Sequence, residues 1–468
     1  MSDPVPELAR IVPDGWLVGG TVRDRLLGRE TADYDVAVVG PAADAARALG
    51  RAAGGYAFEL SEAFGAWRVV AHDHAWQVDV LPLNGSTIEE DLAQRDFTIN
   101  AIAAPLGDGD HVDPFGGLQD LRAHRLRAVS PQAFERDPLR TLRLARIACE
   151  LGFEVAAETL ELARRAAGAL DGVAPERVFA ELRRVVTAPA ALAGLELMDQ
   201  LGVTDVILPE LVALRGVEQS RFHHLDVSGH TRSVLAETIA LERDPEQLAG
   251  ANAPALLEYL ATPLANELTR GQALRFGALL HDIAKPQTRA VTPQGRVTFM
   301  GHDESGARLA SQILGRLRAS ERLREHVAAL TRHHLRLGFL VHDMPLSRRA
   351  VYDYLHATSP VAVDVTVLSV ADRLATRGDN ADRAIAKHLE LARQMLAEGL
   401  AWIADPPRPP LRGDELARAL GIKPGPVVGG LLAELEAASF SGEVATREEA
   451  IARARQLIAS EAVGGTRD

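Results

Sequence analysis

LVGGTVRDRLLGRETADYDVAVVG, residues 17–40, is the stretch on which the fold turns. Val18, the pair Gly19 and Gly20, and then Val22 through Leu27 read as strand, tight turn and helix. Such a turn presents backbone N–H groups where an anion can sit. Arg23 lies one helical turn in, placed to reach a triphosphate. Asp33 and Asp35 follow on a β-patterned run, and residues i and i+2 of a strand share a face, so both carboxylates can hold the same pair of divalent ions. Two-metal phosphoryl transfer has that requirement. In isolation a solvated D-x-D at a strand edge reads the same way, so the rest of the chain has to decide.

Further along lie QVDVL (77–81), which puts Asp79 in another β-patterned run, DLAQRDFTINAIA (91–103), DPFGGLQDL (113–121) and ERDPLRTLRLAR (135–146). In this order they resemble the class II tRNA nucleotidyltransferase and bacterial poly(A) polymerase family. The resemblance is close over roughly residues 15 to 215 and looser to the C-terminus. It implies that Asp33 and Asp35 bind Mg²⁺, with Asp79 as a third acid, and that Gly20 and Arg23 belong to the nucleotide-phosphate site. The family's R-R-D motif maps to Arg95 and Asp96, contacts to the sugar and phosphates, with Gln94 departing from the pattern. Its E-D-x-x-R motif maps to Asp137 and Arg140, which would present hydrogen bonds to the base, with Arg136 in the glutamate position. Arg143, one turn after Arg140, resembles a triphosphate ligand. The implied reaction is attack of a tRNA 3′-hydroxyl on the α-phosphorus of CTP or ATP, with pyrophosphate leaving.

A chain of 468 residues, 47% of them hydrophobic, can bury several cores. The single cysteine, Cys149, excludes an intramolecular disulfide and a thiolate metal cage. No signal peptide and no apolar run of spanning length is found, so a cytoplasmic protein without a membrane partner is expected. The net charge of −13 argues against nucleic acid as a partner. It is an average, though, and Arg122, Arg125, Arg127, Arg136, Arg140, Arg143 and Arg146 concentrate positive charge in one segment. Guanidinium is suited to forked contacts with phosphates and base edges, although genome composition also enriches arginine.

From about residue 15 to 130, β-rich runs at Trp16–Val18, Tyr34–Val39, Trp67–Val70 and Gln77–Leu81 alternate with helical stretches. From Pro138 onward Leu139, Leu142, Ala145, Ile147 and Leu151 recur at helical spacing. The expected architecture is multidomain: an α/β nucleotidyltransferase head (1–130), then an all-α neck (131–215), a metal-dependent domain (216–400) and a helical tail (401–468) behind the Pro-rich Asp405–Pro410.

The helical half carries His230, the adjacent His281 and Asp282, His302, His333 beside His334, and Asp372. Adjacent His and Asp offer two ligands to one ion, and distant residues complete a shell. A lone helical histidine is more often packed or solvated, but this ordered set resembles the HD phosphohydrolase superfamily. That implies one ion on His230, His281, Asp282 and Asp372 and a second on His302 and His333, with His334 the alternative to His333. The metal would be a divalent transition metal, the substrates phosphomonoesters or 2′,3′-cyclic phosphates, and Lys285 follows the pair as in the superfamily. A purely structural domain is the bland reading. His223, His224 and Asp226, just upstream, are expected to lie outside the ligand shell. In the tail the turn Gly421–Gly425 reads equally as a contact to the tRNA elbow or as an ordinary helix-turn-helix.

The leading reading is therefore a tRNA nucleotidyltransferase. Poly(A) polymerase shares the head motifs, and a metal-dependent phosphohydrolase or nucleotide sensor with a relic RNA-binding head is the rival from another class. Between Asp79 and Asp91 the chain has only VLPLNGSTIEE, where family members that add the terminal A carry a longer flexible loop. This favours addition of CC alone, with a separate A-adding enzyme as partner.

Overall fold

The computed structural model describes residues 3–62, 65–219, 224–377 and 381–464. His223 lies outside them. The chain divides into two compact units, Met1–Ile207 and Leu208–Asp468.

The first unit is built on a six-stranded sheet in the order β3-β4-β5-β2-β1-β6. Its strands are β1 (Trp16–Leu17), β2 (Asp33–Val38), β3 (Gly55–Ser61), β4 (Ala66–Ala71), β5 (Gln77–Pro82) and β6 (Ala104–Pro105). Among the described strands of this sheet only the β2/β5 pair is parallel. Helix α1 (Gly20–Leu26) connects β1 to β2, and α2 (Ala42–Ala53) follows β2. Along α2, Ala42, Ala45, Ala46 and Leu49 are buried at helical spacing, and Gly54 at φ +66° ends it. That buried stripe packs on Tyr34, Val36, Val38, Val69, Val78 and Val80, alternate residues of three strands. Fully burying each such aliphatic side chain is worth about 1.5–3 kcal/mol. The alternation decides the site as well, because Asp33, Asp35 and Asp79 are thereby turned to the opposite face.

Two of the four expected strands, β4 and β5, extend beyond the sequence pattern, β2 is shifted by one residue, β1 ends one residue earlier, and β3 and β6 have no counterpart in it. The short helix α3 (Ile88–Leu92) lies between β5 and β6, and the neck helices α4 (Arg140–Leu151) and α5 (Pro175–Thr187) follow the sheet. The expectation of a purely helical remainder needs a small correction: two-residue strands Arg125–Leu126 and Glu154–Val155 pair, and two more ribbons occur at 263–269 and 290–298.

The second unit is helical at its centre. Helices α6 (Val227–Arg243), α7 (Arg270–Leu280), α8 (His302–Arg316), α9 (Glu321–His333), α10 (Ala362–Ala375) and α11 (Ala381–Ala404) surround a shared core. α7 and α10 are buried nearly all round, which is why their sequences show little amphipathic contrast. Asp226 caps α6, accepting from the backbone N–H of Gly229 at 2.7 Å. The tail helices α12 (Gly413–Leu420), α13 (Pro426–Phe440) and α14 (Arg447–Gly464) share a separate apolar cluster, with Gly421 at φ +69° in the turn after α12. Among the described residues no helix is long and apolar enough to cross a membrane.

Candidate functional site

In the first unit the β2/β5 register sets Asp35 directly beside Asp79 and Asp33 beside Gln77. The strand β2 is strapped from α1. Thr21 Oγ1 donates to the carbonyl of Asp33 at 3.2 Å and accepts from the N–H of Asp35 at 2.8 Å. Asp33 is exposed and Asp35 half-buried. Burial, with the charges of Asp79 and Asp33 adding to it against Arg95, pushes the Asp35 carboxyl up to about 6. Surplus negative charge of this kind is what a bound cation relieves. Asp79 is held by Arg68, whose Nε and Nη2 donate to its two oxygens at 2.6 and 2.8 Å.

Gly19, at φ +67°, leaves the room that this arrangement uses. A Cβ there would meet Arg95 Nη1 at 2.9 Å and Asp35 Oδ2 at 3.2 Å.

The cleft over these carboxylates encloses about 810 Å³ and is lined by Arg23, Arg68, Arg95, Arg140, Arg143 and Arg146 among others. Arg23 donates from Nη1 to Asn100 Oδ1 at 2.9 Å. Arg95 forks onto Asp91 at 3.0 and 2.8 Å. Asp96 is buried, which by itself would raise its pKa, yet Arg143 and the amide of Asn100 hold it below the usual carboxylate range. Arg143 bridges Asp96 at 3.2 Å and Glu181 at 2.9 Å.

The two residues expected at the base edge have other partners here. Arg140 donates from Nη1 to the carbonyls of Arg95 and Ala133, both at 3.1 Å, and from Nη2 to that of Gln94 at 2.6 Å. Its buried Nε has no hydrogen-bond partner among the described residues. Asp137 is absent from the cleft lining. One of its oxygens accepts from the N–H of Leu139 at 3.2 Å and the other from Arg177 at 2.8 Å.

In the second unit donor atoms converge on Asp282. Its oxygens lie 3.1 Å from His281 Nε2, 3.3 Å from His302 Nε2, 3.7 Å from His334 Nε2 and 3.8 Å from His230 Nε2. Two ligand triads share it, His230/His281/Asp282 and Asp282/His302/His334. Asp372 joins through His230 Nε2 at 3.0 Å, and Lys285 Nζ approaches Asp282 at 2.6 Å.

Three of the rings are oriented identically. Nδ1 of His281, His302 and His334 lies 2.8, 2.7 and 2.6 Å from the carbonyl oxygen three residues earlier. A carbonyl only accepts, so each Nδ1 carries a proton and each ring turns its Nε2 inward, the atom that offers a lone pair to a metal once it carries no proton. Burial and the neighbouring His281 push the His334 imidazole down to about 4, which keeps that lone pair available. The donor set therefore fits divalent metal, which the two triads that share Asp282 would hold. The expectation of His333 is corrected. His333 lies outside the cluster, its Nδ1 accepting from Arg336 Nε at 3.0 Å, and His334 takes the place.

Residues 15–127 match the Poly A polymerase head domain, 152–214 the probable RNA and SrmB-binding site of polymerase A, and 255–377 the HD domain. The chain is 37% identical over 452 residues to the A-adding tRNA nucleotidyltransferase of Deinococcus radiodurans, covering 95% of this chain and 96% of that one. It belongs to the tRNA nucleotidyltransferase family. It is therefore an enzyme of the nucleotidyltransferase class, joined to an HD domain. The CC-adding tRNA nucleotidyltransferase of Thermus thermophilus is 36% identical over 93% of this chain and 92% of its own length. A Thermotoga maritima CCA-adding enzyme complexed with tRNA shares the fold, with a TM-score of 0.61, 20% identity and coverage of 97% of this chain and 94% of that one.

For this nucleotidyltransferase the structure brings Gly20, Arg23, Asp33, Asp35, Asp79, Arg95, Asp96, Arg140 and Arg143 to one cleft, and Asp137 is not among its lining residues. Sequence reasoning missed Arg68, Asp91, Asn100 and Arg184, which also line it. For Arg68 a signal existed: it stands in the middle of a β-patterned run, one strand from Asp79.

Proposed function

We propose that the enzyme extends tRNA 3′ ends from CTP, adding the two cytidines and stopping, with full CCA addition from CTP and ATP as the alternative. The observation that carries the transferase reading is the row of carboxylates on one sheet face beneath a guanidinium-lined cleft. Asp33 and Asp35, with Asp79, would hold Mg²⁺. Ions bound there neutralise charge on the attacking and leaving oxygens. The chain's own part is positioning: Arg23, Arg95 and Arg143 orient the triphosphate, and Asp96 fixes Arg143. Asp137 and Arg140 read the base after exchanging Arg177 and the backbone carbonyls for its edge, and a wrong base then leaves donors unpaired at about 1–3 kcal/mol each.

The CC-only reading is supported by the segment between β5 and α3. It is short and tied down. Asn84 N–H donates to Asp91 at 3.1 Å, Ser86 N–H to Glu90 at 2.6 Å, and Thr87 caps α3. A segment so tethered has little reach with which to re-form the site around ATP.

In the HD domain the donor set supports hydrolysis of phosphomonoesters or 2′,3′-cyclic phosphates at RNA ends. Residues 1–130, 131–215, 216–400 and 401–468 would act as head, neck, HD domain and tail, the tail turn Gly421–Gly425 meeting the tRNA elbow.

The test is incubation with tRNA lacking CCA, and with tRNA ending in CC, each nucleotide supplied singly and together, followed by sequencing of the products. Addition of CC alone is expected. Efficient addition of A to the CC-ended tRNA overturns the CC-only reading, and addition of A runs to any RNA makes the enzyme a poly(A) polymerase.

A further inference from the structure

The face of the head sheet that carries the carboxylates does not stop at Arg68. The pairings β2/β5, β5/β4 and β4/β3 continue two rows across four strands. One row runs Asp35, Asp79, Arg68, Phe58. The other runs Asp33, Gln77, Val70, Tyr56. Residues paired across strands share a face, so Phe58 and Tyr56 stand on the carboxylate side. The opposite side is accounted for by α2, against which Ala57, Trp67, Val69 and Val78 pack. Among the described residues no comparable cover lies over the aromatics. Tyr56 is 62% exposed and Phe58 46%, which sets them among the few large apolar side chains that the described surface leaves open.

An edge strand ordinarily carries polar or charged residues on its open face. Two adjacent aromatics there are unexplained by packing. Their one described ring contact is His72, edge-on to Tyr56 with centroids 4.3 Å apart. With neighbouring strands ~4.8 Å apart, Phe58 stands about 14 Å from Asp35, three strands away, along a path that passes the guanidinium of Arg68. A few unpaired nucleotides span that distance.

We infer that Tyr56 and Phe58 form a stacking platform for unpaired bases at the 3′ end of the RNA substrate, a subsite continuous with the carboxylate row. The inference rests on the proposed transferase function. Unpaired bases are recognised by stacking on aromatic rings, and this recognition tolerates sequence because every base has a π face. Continuity with the catalytic rows selects single-stranded RNA over a protein partner, which would not need alignment with Asp33 and Asp35.

The experiment uses the full chain and a single-stranded RNA oligonucleotide with 2-aminopurine among its last unpaired positions, in Ca²⁺ so that binding is read without addition. Fluorescence quenching on binding is expected for the wild type. In Tyr56→Ala/Phe58→Ala the quenching is lost and affinity for the oligonucleotide falls at least about fivefold. Phe58→Trp in the Tyr56→Ala background restores quenching and Phe58→Leu does not, which separates stacking from general apolar contact. In steady state the double variant raises KM for tRNA, while KM for CTP at saturating tRNA stays within about twofold. Unchanged quenching and affinity overturn the platform, as does a change in oligomeric state with RNA binding intact, which would make the stripe a protein interface. Failure of the wild type to extend any tRNA while the oligonucleotide is still quenched sinks the transferase reading and leaves the platform standing.

Discussion

The two sites of this chain treat their acids in opposite ways. In the head, Asp33 and Asp35 lie on a strand at a cleft mouth, and Asp35 is pushed up to about 6 by burial and by other carboxylates. In the HD domain, Asp282 is buried completely, yet His281 and Lys285 outweigh that burial and hold its carboxyl well below the ordinary range. The first is a site short of positive charge and the second has its charges matched. What each site must do accounts for the contrast. On the proposed function, a cleft that takes a fresh nucleotide with its ions each turnover must stay open, whereas a resident centre would be assembled by the fold. Backbone carbonyls orient three imidazoles in the HD domain, while the head carboxylates take their places from strand register.

The largest expected effect tests the head side of this contrast. On the proposed two-metal reading Asp35→Ala removes a metal carboxylate, and a metal clamp supplies several kcal/mol to the transition state. At about 1.4 kcal/mol per factor of ten, nucleotide addition should fall roughly a thousandfold. tRNA affinity and HD-domain hydrolysis should be unchanged, and addition at near the wild-type rate would remove the two-metal assignment.

Next in size, His334→Ala should weaken metal retention by the HD domain at least about tenfold and abolish hydrolysis of a 2′,3′-cyclic phosphate. His333→Ala should leave both within about twofold. Metal analysis of the two variants side by side decides the matter, and equal losses would mean that the centre is looser than its fixed rings suggest.

Smaller again is Gly19→Ala. Its Cβ would press on Arg95 and Asp35, and φ +67° costs an alanine about 1 kcal/mol. A rise in KM for CTP of about tenfold is expected, with little change in HD hydrolysis. An unchanged KM would show that the cleft yields where its geometry indicates contact.

How much of this was legible depended on whether a feature is local. Gly19, Gly20, Arg23, Asp33 and Asp35 are read from one stretch because strand, turn and helix bring them together within twenty-odd residues. Arg68 and Asn100 reach the cleft through strand register and side-chain bonding that no linear spacing encodes. β3 escaped for a different reason. Tyr56, Phe58 and Leu60 alternate with Ala57, Glu59 and Ser61 in the sequence, but in the structure the larger side chains face outward, so their alternation marks no core face. The same anomaly motivates the stacking platform. In the HD domain the order of His and Asp was legible but the choice within His333–His334 was not. Adjacent residues on a helix differ by about 100° in direction, and only the packed bundle says which points inward.

An effect on stability rather than on activity separates the two sites by sign. Asp35 has a folded pKa of about 6 against an ordinary value of 3.8, so in metal-free protein its proton is held more tightly folded than unfolded. Its stabilising contribution is complete below about pH 4 and is lost as pH rises through 6. Asp35→Asn needs no ionisation, so relative to wild type it should gain stability across that window and hold a plateau of order 1–3 kcal/mol at neutral pH. Asp282 is depressed instead. It stabilises above pH 3.8 and loses that contribution only as pH falls through its lower folded value, so Asp282→Asn should destabilise at neutral pH and converge on wild type in acid. Thermal unfolding in EDTA between pH 4 and 8 reads the Asp35 curve and the neutral-pH loss of Asp282→Asn, and extending it below pH 4 reads the convergence. Mg²⁺ should then shrink the advantage of Asp35→Asn, because the ion supplies to wild type the positive charge of which its carboxylates are short. Two curves of the same sign would mean that the acids do not differ as the structure requires.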